Sequence, residues 1–304
     1  MDLRQLNALL AVAEHGSFSA AARALHTVQS NVSTHVARLE RELGATLIDR
    51  SSGTLTEEGN AVVARARRIQ AELDALEADV ASLHAEVAGS VRIGVIGTTA
   101  RWLVPPLMES MATSHPKVHV VVLDATTSSL LPQLESGLLD LAVVNLPAND
   151  PDLLTTELFE EDHVLVAPRS SDLFGLETID LQALDGVPLL LEPQGTGFRD
   201  HLDQRAAEVG VTLVPQAEVD GMRLLASLAF QGFGAALVPA SAAPGIVGAE
   251  WSRIPVTGLQ RRAVGLARRR RGLPSAPARA LRDVLGEVIV RAGAHEPGIH
   301  PTGT

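Results

Sequence analysis

A helical pattern without interruption runs from Glu57 to Ala88 and constrains the fold of this 304-residue chain more than any other feature. The stretch contains no proline and only Gly59 as a weak helix former, and its apolar residues recur at alternating spacings of four and three. These residues are Val62, Ala66, Ile69, Leu73, Leu76, Val80, Leu83 and Val87. Sustained 4-3 spacing turns one apolar seam towards a partner helix, as in a coiled coil. We therefore predict a linker and dimerisation helix at 59–89, with a long helix packed on its own domain as the alternative.

Two shorter helical patterns lie between Ser19 and Leu43, and only residues 26–28 separate them. The second pattern has one apolar face, formed by Val32, Val36, Leu39 and Leu43. Its other side begins with hydrogen-bonding side chains of the types that contact base edges when a helix enters the major groove. The candidate DNA-binding residues are Gln29, Ser30, Asn31, Ser33, Thr34, Arg38 and, just after the helix, Arg50. The pattern indicates a helix-turn-helix, and an ordinary surface helix in a small bundle explains this segment alone equally well.

The residues after the second helix predict a wing. Residues 45–50 and 54–56 have the pattern of two short extended pieces, and turn-forming residues 51–53 separate them. Such a wing would bring Arg50 to a DNA phosphate, whereas a solvated loop charge is the alternative for this residue. Together with a first helix that ends at Gly16, these features predict a winged helix-turn-helix DNA-binding domain at 1–58.

Composition excludes several classes of protein. Hydrophobic residues make up 46% and charged residues 20% of the chain, which is typical of globular proteins. The absence of cysteine excludes disulfides, thiolate metal sites, cysteine nucleophiles and thiol redox sensing. A net charge of -11 argues against a protein that coats nucleic acid without specificity. No apolar run approaches the roughly 20 residues of a membrane span and no leader precedes the first helix, so we expect a cytoplasmic protein without a membrane partner.

From residue 90 onwards the pattern changes to alternating strands and helices. Apolar strand patterns occur at 91–96, 118–123, 140–144, 164–167, 187–191 and 235–239. This alternation predicts a largely parallel sheet covered by helices on both faces. A last helix is predicted at 275–291, and residues 297–304 have the composition of a frayed tail.

Four short stretches resemble the LysR-type transcriptional regulators in their order and spacing, and the resemblance covers essentially the whole chain. They are MDLRQL at 1–6, GSFSAAA at 16–22, LERELG at 39–44 and LTEEG at 55–59. The resemblance implies an α/β fold with an N-terminal all-α winged helix-turn-helix and a long coiled-coil linker helix. It also implies a two-subdomain effector domain at 90–304, similar to a periplasmic binding protein. Subdomain 1 is expected at about 90–163 and 266–304, and subdomain 2 at about 164–265.

The same resemblance implies a regulator that binds double-stranded DNA as a homodimer or homotetramer and responds to a small-molecule effector. The recognition helix departs from the family pattern, because Ser30 replaces a proline and Thr34 replaces an arginine. Losing the proline removes a preset helix start, for which Thr27 is a candidate replacement as cap. Losing the arginine removes a DNA contact, so we expect altered site preference with the fold of the head unchanged.

Polar side chains follow several of the predicted strands. In doubly wound domains ligands bind beyond the carboxyl ends of strands, where helix N-termini offer free N–H groups. The candidate effector-binding residues are Thr98, Thr99, Ser128, Asn145 and Thr196. The place of Thr98 and Thr99 matches effector contacts of the family, and simple capping of a helix from Ala100 is the alternative. A carboxylate or other anion is the expected class of effector.

No pattern for catalysis is present. Histidines such as His163, His201 and His295 are scattered, and no nucleophile elbow, zinc-binding helix or phosphate-binding loop occurs. We expect no catalytic residues, no metal site and no cofactor. The alternative function is a solute-binding or scaffold protein that dimerises through its N-terminal helices.

Overall fold

The computed structural model describes residues 1–84, 86–244 and 250–302, with only the backbone described at 81–84. None of the helices in these ranges is long and apolar enough to span a membrane.

Three helices and a short wing form the N-terminal head. Helices α1 (Leu3–His15), α2 (Phe18–Ala24) and α3 (Gln29–Leu43) pack around a shared aliphatic core. Ile48 and Leu55 form a single antiparallel bridge around the turn at Gly53. The wing is therefore one bridge wide, shorter than the two predicted extended pieces. On α3, Val32, Val36 and Leu39 are buried as predicted, whereas Leu43 is 43% exposed at the end of the helix.

Helix α4 (Glu57–His84) is the predicted linker helix, but it ends earlier than expected. Val87 lies beyond the helix, because the chain becomes extended to enter a strand that begins at Gly89. Ala66 is 2% exposed in the core of the head, beside Val63, so it faces its own domain and not a partner helix. The side chain of Leu83 lies outside the described part of the chain.

The middle of α4 keeps an apolar stripe. Ile69, Leu76 and Val80 are 40%, 60% and 52% exposed, while Val62 and Leu73 are half-buried. Two polar contacts hold the other side of α4 against the effector half. The Arg68 Nε donates to the Glu135 carbonyl at 2.6 Å, and Asp79 Oδ1 accepts from the Ala276 N–H at 2.9 Å. One side of the linker is thus docked on its own chain and the other presents apolar side chains.

The rest of the described chain forms two six-stranded sheets with helices on their faces. The elements in chain order are β1 (Gly89–Ile96), α5 (Gly97–Ser114), β2 (Val118–Ala125), α6 (Thr127–Glu135), β3 (Leu141–Asn145), β4 (Leu153–Glu161), β5 (His163–Pro168), β6 (Ile179–Asp180), β7 (Pro188–Leu191), α7 (Gly197–Glu208), β8 (Val214–Glu218), α8 (Met222–Phe230), β9 (Ala235–Pro239), β10 (Trp251–Thr257), β11 (Arg262–Arg269), α9 (Ala276–Gly293) and β12 (Ile299–Pro301). The first sheet has the order β12-β4-β11-β3-β1-β2 and the second β6-β10-β5-β9-β7-β8.

The chain passes between the two sheets twice, at Asp162 and at 258–261. The first predicted boundary, at residue 163, adjoins the first crossing. The second, between 265 and 266, falls inside β11, which pairs with β3 and β4 and therefore belongs wholly to the first sheet. The sheets are also less parallel than predicted. Strands that adjoin the crossings, such as β4 before the first and β11 after the second, pair antiparallel.

The prediction of a frayed tail at residues 297–304 is wrong for the first part of that range. Strand β12 pairs with the end of β4, and Ile299 is 6% exposed. Asp162 at the first crossing donates its N–H to the Gly298 carbonyl at 2.8 Å, and its carboxylate lies 2.9 Å from His300 Nε2. The C-terminal residues therefore support one of the two crossings. Residues 303–304 lie outside the described part of the chain.

Candidate functional site

The outer face of α3 carries the predicted reading residues. Gln29, Ser30, Asn31, Thr34 and Arg38 are exposed, and Ser33 is half-buried. The helix is fixed from behind by its buried valines and leucine, so its exposed side has a defined orientation in the head. The structure therefore brings six of the seven predicted residues onto one helix surface.

The start of α3 differs from the expectation for Thr27. The N-cap residue is Val28, and no side chain caps the helix. Instead Thr27 Oγ1 accepts from the Asn31 side-chain amide at 3.0 Å, which ties Asn31 to the turn before the helix. Thr34 Oγ1 donates to the Ser30 carbonyl at 2.7 Å. The side chains of Gln29 and Ser30 have no such contact within the described residues.

Glu40, which belongs to the LERELG stretch at 39–44, connects α3 to the wing. Its Oε1 accepts from the Leu47 N–H at 2.9 Å and the Ile48 N–H at 3.3 Å. Its Oε2 lies 3.5 Å from Arg50 Nη2, and the Arg50 side chain is 60% exposed. Arg50 is therefore held beside α3 with most of its guanidinium still open to a phosphate.

Four of the predicted effector residues lie at the ends of neighbouring parallel strands. Gly94 and Val95 of β1 pair with β3, and β1 pairs along its whole length with β2. The carboxyl ends of the three strands consequently meet, with Thr98 and Thr99 after β1, Ser128 after β2 and Asn145 as the last residue of β3. Ser128 is exposed, and the Asn145 N–H donates to Thr127 Oγ1 at 3.0 Å. Asn145 Oδ1 is buried and has no partner among the described residues.

Thr98 and Thr99 are buried in the first turn of α5 and do not cap it. The helix begins at Gly97 after the N-cap Ile96, three residues before the expected start at Ala100. Thr98 Oγ1 accepts from Arg262 Nη2 at 3.0 Å. Thr99 is 0% exposed, and its Oγ1 has no hydrogen-bond partner in the described chain. This unpaired hydroxyl beside a helix N-terminus is the feature of the site that most clearly points to a ligand.

A buried ion pair that sequence reasoning missed lies behind Thr98. Arg262 Nε donates to Glu161 Oε1 at 2.8 Å, and Glu161 Oε2 accepts from the Ser241 N–H at 2.8 Å. Glu161 is 0% exposed and Arg262 is 12% exposed in its side chain. Both residues adjoin the crossings between the sheets. No motif marks them, because about 100 residues separate them in the sequence.

The second sheet contributes a wall of rings and carboxylates. His163 is 3% exposed, and its ring stacks on Phe198 with centroids 5.5 Å apart. Burial, together with the charges of Arg262 and His201, lowers the pKa of His163 to about 4. Burial also raises the pKa of Glu192 above its ordinary value. His163 is consequently neutral at physiological pH.

Thr196 is less free than predicted. Its hydroxyl lies 3.0 Å from the Pro193 carbonyl and 3.3 Å from Glu192 Oε2, so it closes its own loop. It remains half-buried at the start of α7.

One ion pair spans the two sheets beside α5. Arg223 on α8 lies 2.6 Å from Asp124 on β2. A Cβ atom on Gly97 would come within 2.8 Å of the Asp124 carboxylate and 3.0 Å of Arg223 Nε. The glycine therefore allows this pair to lie directly over the first turn of α5. Among the described residues, no group of three histidine, aspartate or glutamate side chains is arranged to hold a metal ion.

Comparisons with known proteins match both halves of the chain. Residues 3–60 match the family model described as bacterial regulatory helix-turn-helix protein, lysR family, and residues 84–289 match the LysR substrate binding domain. A probable hydrogen peroxide-inducible genes activator from Mycobacterium leprae is 33% identical over 297 residues, which are 93% of each chain.

Two solved structures share the fold. A full-length OxyR cysteine-to-aspartate variant from Pseudomonas aeruginosa has a TM-score of 0.79 at 24% identity and covers 100% of this chain and 98% of its own. Full-length CbnR in complex with its target DNA has a TM-score of 0.70 at 26% identity, covering 96% and 100%.

The neutral His163 makes the stability of the protein depend on pH. The unfolded state takes up a proton near pH 6.5, whereas the folded state does so only near pH 4. Stability is therefore complete above pH 6.5 and falls as the pH drops towards 4, by about 2 kcal/mol between pH 7 and pH 5. We expect His163→Gln to remove this part of the pH dependence in urea unfolding at fixed protein concentration. His119→Asn, on the exposed edge strand β2, is the control, and an equal loss in all three proteins would contradict the assignment.

Proposed function

This chain belongs to the LysR family of bacterial transcriptional regulators, and on that premise we propose which of its residues contact DNA and effector. As a member of the family it binds DNA, carries an effector-binding domain and assembles as a homo-oligomer. The match of the head to a DNA-binding family model excludes the alternative of a solute-binding or scaffold protein. Our proposal assigns no catalytic step to the protein.

We propose that α3 reads the major groove through Gln29, Ser30, Ser33 and Thr34, with Asn31 tied to Thr27. The polar face of α3 is exposed, and its apolar face packs in the core of the head, which favours this placement. Arg38 and Arg50 would contact phosphates, which position the head without specifying sequence. Because the chain has a net charge of -11, the affinity of a single head is limited.

We further propose that two chains pair along the exposed stripe of α4. Ile69, Leu76 and Val80 share this stripe, and burying them in a partner helix would remove apolar surface from water. Two paired linkers present two heads, as a palindromic site requires. The dimer then supplies the affinity that one acidic chain lacks.

The effector site proposed here is the first turn of α5. The unpaired Thr99 hydroxyl carries this assignment, and the free N–H groups of the helix start suit an anionic oxygen. Arg262 is already neutralised by Glu161, so the helix amides and Thr99, and not Arg262, would attract a carboxylate. Closure of the two sheets over the effector would then change the spacing of the heads in the oligomer.

The relative from Mycobacterium leprae is named as a probable activator of hydrogen peroxide-inducible genes. This chain contains no cysteine, so the thiol chemistry that peroxide sensing commonly uses is not available to it. We therefore propose that the chain responds to a reversibly bound small molecule.

Replacing Gln29 tests the reading helix. We expect Gln29→Ala to lower the preference for the DNA upstream of its own gene over scrambled DNA by about 1–3 kcal/mol, because a base-edge hydrogen bond pair is lost. Gel shifts at several salt concentrations measure the preference. Gln204→Ala, an exposed glutamine on α7, is the matched control. An unchanged preference in Gln29→Ala would remove Gln29 from the interface.

Replacing Thr99 tests the effector site. Thr99→Val removes a buried hydroxyl without a partner, so we expect the ligand-free protein to melt at a higher temperature. In a thermal-shift screen of small carboxylates and neutral metabolites, a ligand that stabilises the wild type should bind about 2- to 10-fold more weakly to the variant. Thr113→Val, at the exposed end of the same helix, should change neither value. Ligands that bind Thr99→Val as tightly as the wild type would place the site elsewhere.

Exposure to hydrogen peroxide tests the absence of thiol sensing. We expect the footprint on the target DNA to be the same before and after peroxide and after dithiothreitol, because no thiol is present. A footprint that changes with peroxide and reverts with dithiothreitol would contradict this expectation.

A further inference from the structure

A groove of about 660 Å³ lies on the first sheet, away from the head and from the first turn of α5. Helix α9 forms one wall, and strands β4 and β11 form the other. Its size is in the range of small-molecule sites. The residues that matter for its chemistry are Leu158, Leu266, Arg268, Arg282, Gly286 and Val290.

A glycine in the middle of α9 lines the groove and has open space beside it. A Cβ atom added to Gly286 would meet no other atom within 4 Å. Glycine inside a helix is less favourable than alanine by about 1 kcal/mol, so this position gives up helix stability. A larger side chain here would occupy the space between the helix and the sheet.

The two ends of the groove carry different side chains. Only residues 270–275 join β11 to α9, so the end of the strand and the start of the helix lie together. Arg268 and Arg282 belong to this end. Leu158 adjoins the pair between Phe159 and Val264, further from the loop, and Val290 lies two turns beyond Arg282. The end near the loop therefore carries Arg268 and the pair of Arg282 and Asp283, and the other end carries Leu158 and Val290 beside Glu287 and Arg291.

Two guanidinium groups at the groove, those of Arg268 and Arg291, form no ion pair with a residue in the described ranges. The Arg268 guanidinium also makes no hydrogen bond there, although the backbone of Arg268 pairs with Leu154 in the sheet. Arg282 donates twice to Asp283 Oδ1, at 2.9 and 2.8 Å, so its charge is largely balanced by its neighbour. Arg291 donates to Ser110 Oγ. Its positive charge offsets the negative charge of Glu287 in the sum over the groove. The formal charges of the residues that line the groove add up to one positive charge.

We propose that this groove is a second ligand site, for an amphipathic molecule with a single negative charge. Its chain or ring would lie along Leu158, Leu266 and Val290, and its carboxylate or sulfonate would pair with Arg268. The net lining charge of one favours a monoanion over a dianion. The site is separate from the effector site at Thr99 and does not depend on it.

The fluorescent probe 8-anilinonaphthalene-1-sulfonate, an apolar monoanion, tests the proposal on the full-length protein. We expect saturable binding to one site per chain, with displacement by decanoate and not by decanol. Gly286→Leu should weaken binding by about tenfold or more, since it fills the groove, and Gly286→Ala serves as the control for the helix. Arg268→Gln should weaken binding about 5- to 20-fold, whereas Arg271→Gln, in the exposed loop, should not.

Three results would overturn the proposal. The first is wild-type affinity in both Gly286→Leu and Arg268→Gln. The second is loss of probe binding in Thr99→Val with retention in Gly286→Leu, which would place the probe in the effector site. The third is a change of oligomeric state in Gly286→Leu by light scattering, which would mean that a second copy of the chain covers the groove.

Discussion

The buried pair of Arg262 and Glu161 is the interaction on which the effector half depends. Its two residues adjoin the two crossings between the sheets, and its hydrogen bonds extend to α5 through Thr98 and to the end of the second sheet through Ser241. Removing one partner would leave a buried charge without compensation, at a cost of about 3–5 kcal/mol. The same pair keeps Arg262 from acting as a free cation. In the effector site that we propose, the chemistry left to a ligand is therefore that of the α5 amides and the Thr99 hydroxyl.

The linker helix α4 joins the effector half to the head, and a small number of polar contacts hold it against the effector half. Asp79 holds the start of α9 through the Ala276 N–H and Arg279, and Arg68 holds the end of α6. These contacts are made to α6 and α9, which pack on the first sheet, so they tie α4 to that half of the effector domain.

The sequence predicted the features that depend on local periodicity. The apolar face of α3 and the stripe of α4 follow from spacing alone, and Thr99 follows from its place after a strand. The ion pair and the His163 ring stack could not be predicted, because their partners are far apart in the chain and meet only through the crossings. The tail was misjudged for the same reason, since β12 pairs with a strand about 140 residues earlier. Ala66 fits the repeat of the seam, and only packing shows that it lies in the core of the head.

Val63 and Ala66 give the head a property that its boundaries in the sequence do not suggest. Because these residues of α4 complete the core beneath α3, the first turns of the linker and the head are one rigid body. No flexible joint lies between reading helix and linker, so a rotation of α4 about its own axis turns α3 through the same angle. Since α3 lies off the axis of α4, such a rotation displaces α3, and in the α4 pairing that we propose it would change the register of the two heads along the DNA.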